Sequence, residues 1–105
     1  MIKVTYYIGT NDKDTLQPEL CKRYFIKVFD ELFKDYTLVE ATGRFTNKNN
    51  ETTEELTLIV TTFIEEDNDK ELANYKIYTN VEVMKNILNQ ESILVEVTRP
   101  KVMFL

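Results

Sequence analysis

Residues 2 to 8, IKVTYYI, alternate, with Ile2, Val4, Tyr6 and Ile8 on one side and Lys3, Thr5 and Tyr7 on the other. A period of two in β-branched and aromatic side chains predicts a half-buried strand. Gly9, Thr10, Asn11 and Asp12 then break it, as turn residues do. Over residues 17 to 34 the period changes: Cys21, Phe25, Val28, Phe29 and Leu32 recur at helical spacing, and Lys22, Arg23, Lys27, Asp30, Glu31 and Lys34 fill much of the other side. Pro18 suits the first turn, where its missing N–H costs nothing. The stripe places Cys21 in the core as a small hydrophobe. Residues 36 to 46 and 53 to 64 return to strand composition around the polar turn 47–50, which reads as a hairpin. Further on, Val81, Met84, Ile87 and Leu88 have helical spacing, and Asn68 with Glu71 and Thr79 with Glu82 could each cap a helix start. The β-leaning run Tyr75 to Thr79 leaves open whether that helix is one piece or two, so helix is predicted over at least 80 to 89. Residues 92 to 98 alternate again, with Ile93, Val95 and Val97 on one face. Pro100 ends that strand or marks an edge, and Val102 to Leu105 read as a short extension.

The order β-α-β-β-α-β predicts a single α+β domain over 1–105, a ferredoxin-like sandwich with a four-stranded antiparallel sheet and two helices on one face. The other face is then open. It collects Lys3, Thr5 and Tyr7 from the first strand, Thr57, Ile59, Thr61 and Phe63 from the third, and Leu94, Glu96 and Thr98 from the last. Tyr7, Ile59, Phe63 and Leu94 together would make an apolar patch of the kind that marks contact, with a second copy in a homodimer or with another partner.

Composition narrows the chemistry. At 105 residues and 43% hydrophobic the chain can bury one core. It has one cysteine and no histidine, which removes the commonest general base, the commonest metal ligand and every Ser-His or Cys-His nucleophile. No cofactor or metal is expected: two glycines cannot build a phosphate-binding loop, and the acidic run from Glu65 to Glu71 does not fit a calcium loop, which needs Gly at its sixth position and Glu at its twelfth. The net charge of −5 is concentrated between residues 51 and 71, where eight carboxylates face Lys70 alone. Glu54, Glu55, Glu65, Glu66, Asp67, Asp69 and Glu71 are read as an acidic patch that repels phosphate, so nucleic acid is not expected, and that suits a basic protein partner. No apolar run is long enough to cross a membrane, and the first 20 residues lack a basic start followed by an apolar stretch, so a cytoplasmic protein is expected.

Two polar features could bind a ligand. Arg44, in Gly43-Arg44-Phe45, could clamp a carboxylate or phosphate, although an exposed surface ion pair also accounts for it. Gln90, Glu91 and Ser92 follow the second helix directly and could line a pocket or simply satisfy the helix exit. With Tyr7 they form the candidate ligand-binding set. Two readings follow. The first is a non-enzymatic interaction module that engages a basic protein partner through the acidic region and the open sheet face. The alternative is a small-molecule binder or histidine-free enzyme with a pocket between the sheet and the second helix.

The run Gln90-Glu91-Ser92-Ile93-Leu94-Val95, followed by Val102 and Phe104, resembles the closing signature of a small bacterial family of unknown function, in which a helix ends in a QES(V/I)L run before an apolar strand. Tyr7, Gly9, Phe33, Thr37, Val39, Ala41, Gly43, Arg44 and Phe45 are similar to that family at other positions. The resemblance implies a compact α+β domain and supplies no activity. Members are often secreted, whereas no secretory signal is expected here. Its Lys-, Asn- and Ile-rich composition resembles proteins of AT-rich bacteria or their phages, so a phage or mobile-element origin is expected.

Overall fold

The computed structural model describes residues 1–10, 18–46, 48–65 and 70–105. Its elements are β1 (Ile2–Gly9), α1 (Pro18–Leu32), β2 (Thr37–Thr46), β3 (Thr52–Ile64), α2 (Lys70–Ile87) and β4 (Leu94–Thr98). The sheet order is β2-β3-β1-β4, with each neighbouring pair antiparallel. This is the expected α+β, ferredoxin-like arrangement.

The two central strands carry the core because alternation sends their apolar set to the helix side. Ile2, Val4, Tyr6 and Ile8 of β1 are buried, as are Leu58 and Val60 of β3. They meet Phe25, Val28, Phe29 and Phe33 from α1 and the residue beyond it, and Ala73, Ile77, Met84 and Leu88 from α2 and its exit. Phe29 is fully buried, and its ring lies 6.4 Å from those of Phe25 and Phe33 and 6.0 Å from that of Tyr36. Cys21 lies at the border of the stripe and is only half-buried.

The second helix is one piece. Thr79, read as a possible cap, lies inside it and donates its hydroxyl to the Tyr75 carbonyl at 2.8 Å, so the polar side chain is satisfied by the preceding turn and the helix continues. The other possible cap, Asn68, lies outside the described residues. At the far end Asn89 takes a left-handed backbone (φ 53°), and the Gln90 amide closes on the Lys85 carbonyl at 3.0 Å. That is a Schellman closure with asparagine in place of glycine. Residues 99–105 form no strand, so the extension read over Val102 to Leu105 is not part of the sheet. No helix among the described residues is long and apolar enough to cross a membrane.

Tyr36 closes the α1 end of the core and donates its hydroxyl to Asp30 Oδ1 at 2.7 Å. Burial first, and then this bond, push its phenol from 10.0 up to about 12. A raised folded value favours the protonated phenol, so its contribution is complete below pH 10 and is lost as pH rises towards 12. Melting scans across that window are expected to show a fall in Tm that is smaller in Tyr36→Phe.

Candidate functional site

The register turns the open face into rows that cross the sheet. One row is Val39, Ile59, Tyr7 and Leu94, one residue from each strand. It is apolar, and its ends are open, with Val39 51% and Leu94 68% exposed. Of the expected contact residues, Tyr7, Ile59 and Leu94 therefore adjoin. Phe63 stands opposite Lys3, two rows away on the same face. The row between is polar: Thr37, Thr61, Thr5 and Glu96, with Thr5 and Thr61 sharing a hydroxyl contact at 3.3 Å.

On the other side of the apolar row the face becomes shallow. Ala41, Thr57 and Gly9 are paired across β2, β3 and β1, and Gly43 faces Glu55 one step further. Both glycines of the chain lie here, inside strands, and neither uses a positive φ. Their role is space, as glycine in a strand often provides. A Cβ on Gly9 would run into the Glu55 carboxylate, which lies over it. A Cβ on Gly43 would stand 2.5 Å from Thr57 Oγ1 and 2.9 Å from the edge of the Phe45 ring.

Gly9 and Thr57 belong to a cavity of about 580 Å³, lined also by Tyr7, Phe45 and Glu55 from the sheet, Asn89, Gln90, Glu91 and Ser92 from the α2 exit, and Leu94. Four of the five candidate ligand residues, Tyr7, Gln90, Glu91 and Ser92, are thus brought together. The cavity lies on the open sheet face beside the helix exit, not between sheet and helix as expected, because the helix-facing side is filled by the core. Gln90 holds the rim. Its side-chain amide donates to the Gly9 carbonyl at 2.9 Å and to that of Leu88 at 3.2 Å. The Tyr7 hydroxyl donates to Glu96 Oε1 at 2.5 Å. That bond, with lesser help from burial and the carboxylate charge, holds the phenol above its ordinary value of 10.0, so it is protonated at neutral pH. Glu55 and Glu91 make the lining anionic, which suits a cationic ligand.

Arg44 is not part of this site. Strand alternation puts Gly43 and Phe45 on the open face, where Phe45 lines the cavity, and Arg44 on the other face. There it pairs with Glu54, its partner across the hairpin, at 2.8 Å in an exposed contact. Arg44→Ala is expected to cost at most about 1 kcal/mol and to leave ligand affinity at the cavity unchanged, as denaturant titration and calorimetry would show.

Among the described residues, Glu54 and Glu55 do not gather with Glu65 in one patch either. Glu54 and Glu55 point to opposite faces at the hairpin end of β3, whereas Glu65 follows its other end. Ten residues of strand separate Glu55 from Glu65 by roughly 30 Å. Glu66, Asp67 and Asp69 lie outside the described residues. Among the described residues no cluster of carboxylates or cysteine is arranged to hold a metal.

A larger hollow of about 940 Å³ lies at the opposite end, between the end of α1, the first half of α2 and the tail residues Val102 and Phe104. It takes none of the candidate ligand residues and mixes Lys34 and Lys76 with Asp35 and Glu65. The smaller cavity is the better candidate because it gathers Tyr7, Gln90, Glu91 and Ser92 together with Glu55 and Thr57. Sequence reasoning missed Gly9, Phe45, Glu55 and Thr57 as site residues. The available signal was two glycines placed within strands.

No family model and no curated protein sequence matches the chain. Solved structures do. A phage SAM lyase in complex with S-methyl-5'-thioadenosine is similar over 92% of this chain and 79% of that one, with TM-score 0.67 and 20% identity. The same kind of enzyme in its apo state gives TM-score 0.63 at 19% identity, over 92% of this chain and 78% of that one. A point variant of CutA1 from Pyrococcus horikoshii OT3 is similar over 99% of this chain and 87% of that one, with TM-score 0.55 and 12% identity. At these identities the likeness shows the fold. The expectation of a non-enzymatic module engaging a basic partner is corrected here: the solved structures that share this fold include an enzyme, the phage SAM lyase.

Proposed function

We propose that the chain is a histidine-free lyase that cleaves a cationic sulfonium nucleoside of the S-adenosylmethionine type, releasing S-methyl-5'-thioadenosine. The observation that carries this reading is the anionic cavity of Tyr7, Gly9, Glu55, Thr57 and Glu91 in a chain whose fold is that of a lyase acting on such a compound. The chemistry suits a site without histidine. When the bond between sulfur and the γ-carbon of the methionine moiety breaks, its electron pair goes to sulfur and neutralises the sulfonium. The substrate's own carboxylate oxygen can attack that carbon and close a five-membered lactone. No proton has to be taken from or given to the substrate, so a general base is not required.

The cavity's part is then to bind and fold the substrate. A bound geometry with carboxylate and γ-carbon in contact replaces the many conformers available in water. The two charges annihilated in the step are favoured by a site drier than solvent. Carboxylates of the lining hold the amino group, which keeps its charge throughout. The test is direct: purified protein is incubated with S-adenosylmethionine, and methylthioadenosine is measured against a protein-free blank. Formation well above the blank supports the reading. No formation and no binding overturn it.

The open apolar row completes the proposal. A second copy laid over Val39, Ile59, Tyr7 and Leu94 would bury it and wall the exposed side of the cavity, which is how a homodimer fits this reading. Sedimentation is expected to give a mass above that of one chain, falling to one chain in Leu94→Arg. A phage origin and a cytoplasmic setting, where such a substrate is found, belong to the same proposal.

A further inference from the structure

The hydroxyl of Thr57 is buried without a hydrogen-bond partner, although the residue is only 9% exposed and lines the cavity. Buried polar groups are ordinarily satisfied, and an orphan marks a place where something binds or moves. Its surroundings fit that reading. Thr57 lies between Ala41 and Gly9 on the neighbouring strands, with the Glu55 carboxylate over Gly9 and the Phe45 ring over Gly43 beside it. The space above Gly43 is bounded by Thr57 Oγ1 and by the Phe45 ring. Phe45 itself is 54% exposed, so solvent leaves its ring room to swing out and back.

We propose that Phe45 and Thr57 form the subsite for the flat nitrogen heterocycle of the ligand. This rests on the lyase reading and names the part of the substrate that this end of the cavity selects. The heterocycle enters beside Thr57 as the Phe45 ring swings away from its place against Gly43. Phe45 closes on its outer face and stacks. The Thr57 hydroxyl, uncovered by the movement of that ring, donates to a ring nitrogen and gains the partner it lacks. Glu55 and the α2 exit then face the sulfonium-bearing chain of the same ligand.

The experiment is calorimetric titration with S-methyl-5'-thioadenosine of the full-length wild type, Thr57→Val, Phe45→Ser and Phe45→Trp, with melting of each. Thr57→Val keeps shape and removes the hydroxyl; it is expected to weaken binding about 10-fold without lowering Tm. Phe45→Ser is expected to weaken it by about 10-fold or more, and Phe45→Trp to restore it, as stacking on an aromatic plate demands. Wild-type affinity in both Thr57→Val and Phe45→Ser overturns the subsite while leaving the lyase reading intact. So does a Thr57→Val protein that melts lower and binds as before, since the hydroxyl would then be structural. Wild-type protein that neither binds methylthioadenosine nor produces it from S-adenosylmethionine removes the lyase reading, and the subsite with it.

Discussion

Replacing Glu55 by glutamine is expected to raise the KM for S-adenosylmethionine by about 10- to 100-fold while changing kcat less than about threefold, a charge-assisted hydrogen bond being lost equally from ground and transition states. The split follows from the charges. The amino group of the substrate is cationic before, during and after carbon–sulfur cleavage, so a carboxylate that holds it binds all states alike. Glu55 is placed for that role over Gly9, in the lining of the cavity, whereas Glu91 lies on the exposed rim. Glutamine keeps the shape, and melting of the variant separates any loss of fold support from loss of substrate binding. Steady-state kinetics by release of methylthioadenosine would decide the matter. An unchanged KM would remove Glu55 from substrate binding, and an equal fall in kcat and kcat/KM would show that its charge acts on the reacting bond instead.

Phe29→Ala is expected to be the most damaging single truncation in the core, costing about 3–5 kcal/mol. A domain of this size has about 5–15 kcal/mol in all, so the variant should lose a large share of its stability and unfold at much lower urea than the wild type. Phe29 is fully enclosed and its ring joins those of Phe25, Phe33 and Tyr36, which bridge α1 to the turn before β2. Those rings cannot all collapse into the void, because Phe25 and Phe33 are fixed by the same helix face and its exit. Urea denaturation followed by circular dichroism would give the loss. A cost below about 1 kcal/mol would mean that the core repacks freely.

The fold was legible because each strand announced itself by alternation and each helix by its stripe. Ile2, Val4, Tyr6 and Ile8 face the core as their pattern predicts, and Ile93, Val95 and Val97 likewise face the helix side. The boundaries of α2 were less legible: Tyr75 to Thr79 favour strand taken singly, but Ala73, Ile77 and Met84 bury one continuous face, and packing outweighs propensity. The site was legible in part. Tyr7 and the Gln90–Ser92 run were chosen for polarity at element ends, and the fold does bring them together. Arg44 was chosen by chemistry without its direction, and a period of two sent it away. Glu55 and Thr57 could not be recognised alone, because their setting depends on which residues of β1 and β2 they pair with, and register is a tertiary property.

The hook from Gln90 to the Gly9 carbonyl bears on how the rim breathes. Because the amide of Gln90 is locked to Lys85 and its side chain to β1, the segment cannot fray from the helix without also letting go of the strand. Deuterium uptake at this amide should therefore track the release of both anchors together, and occupancy of the neighbouring hollow should slow it, which makes a single backbone proton a reporter of ligand arrival.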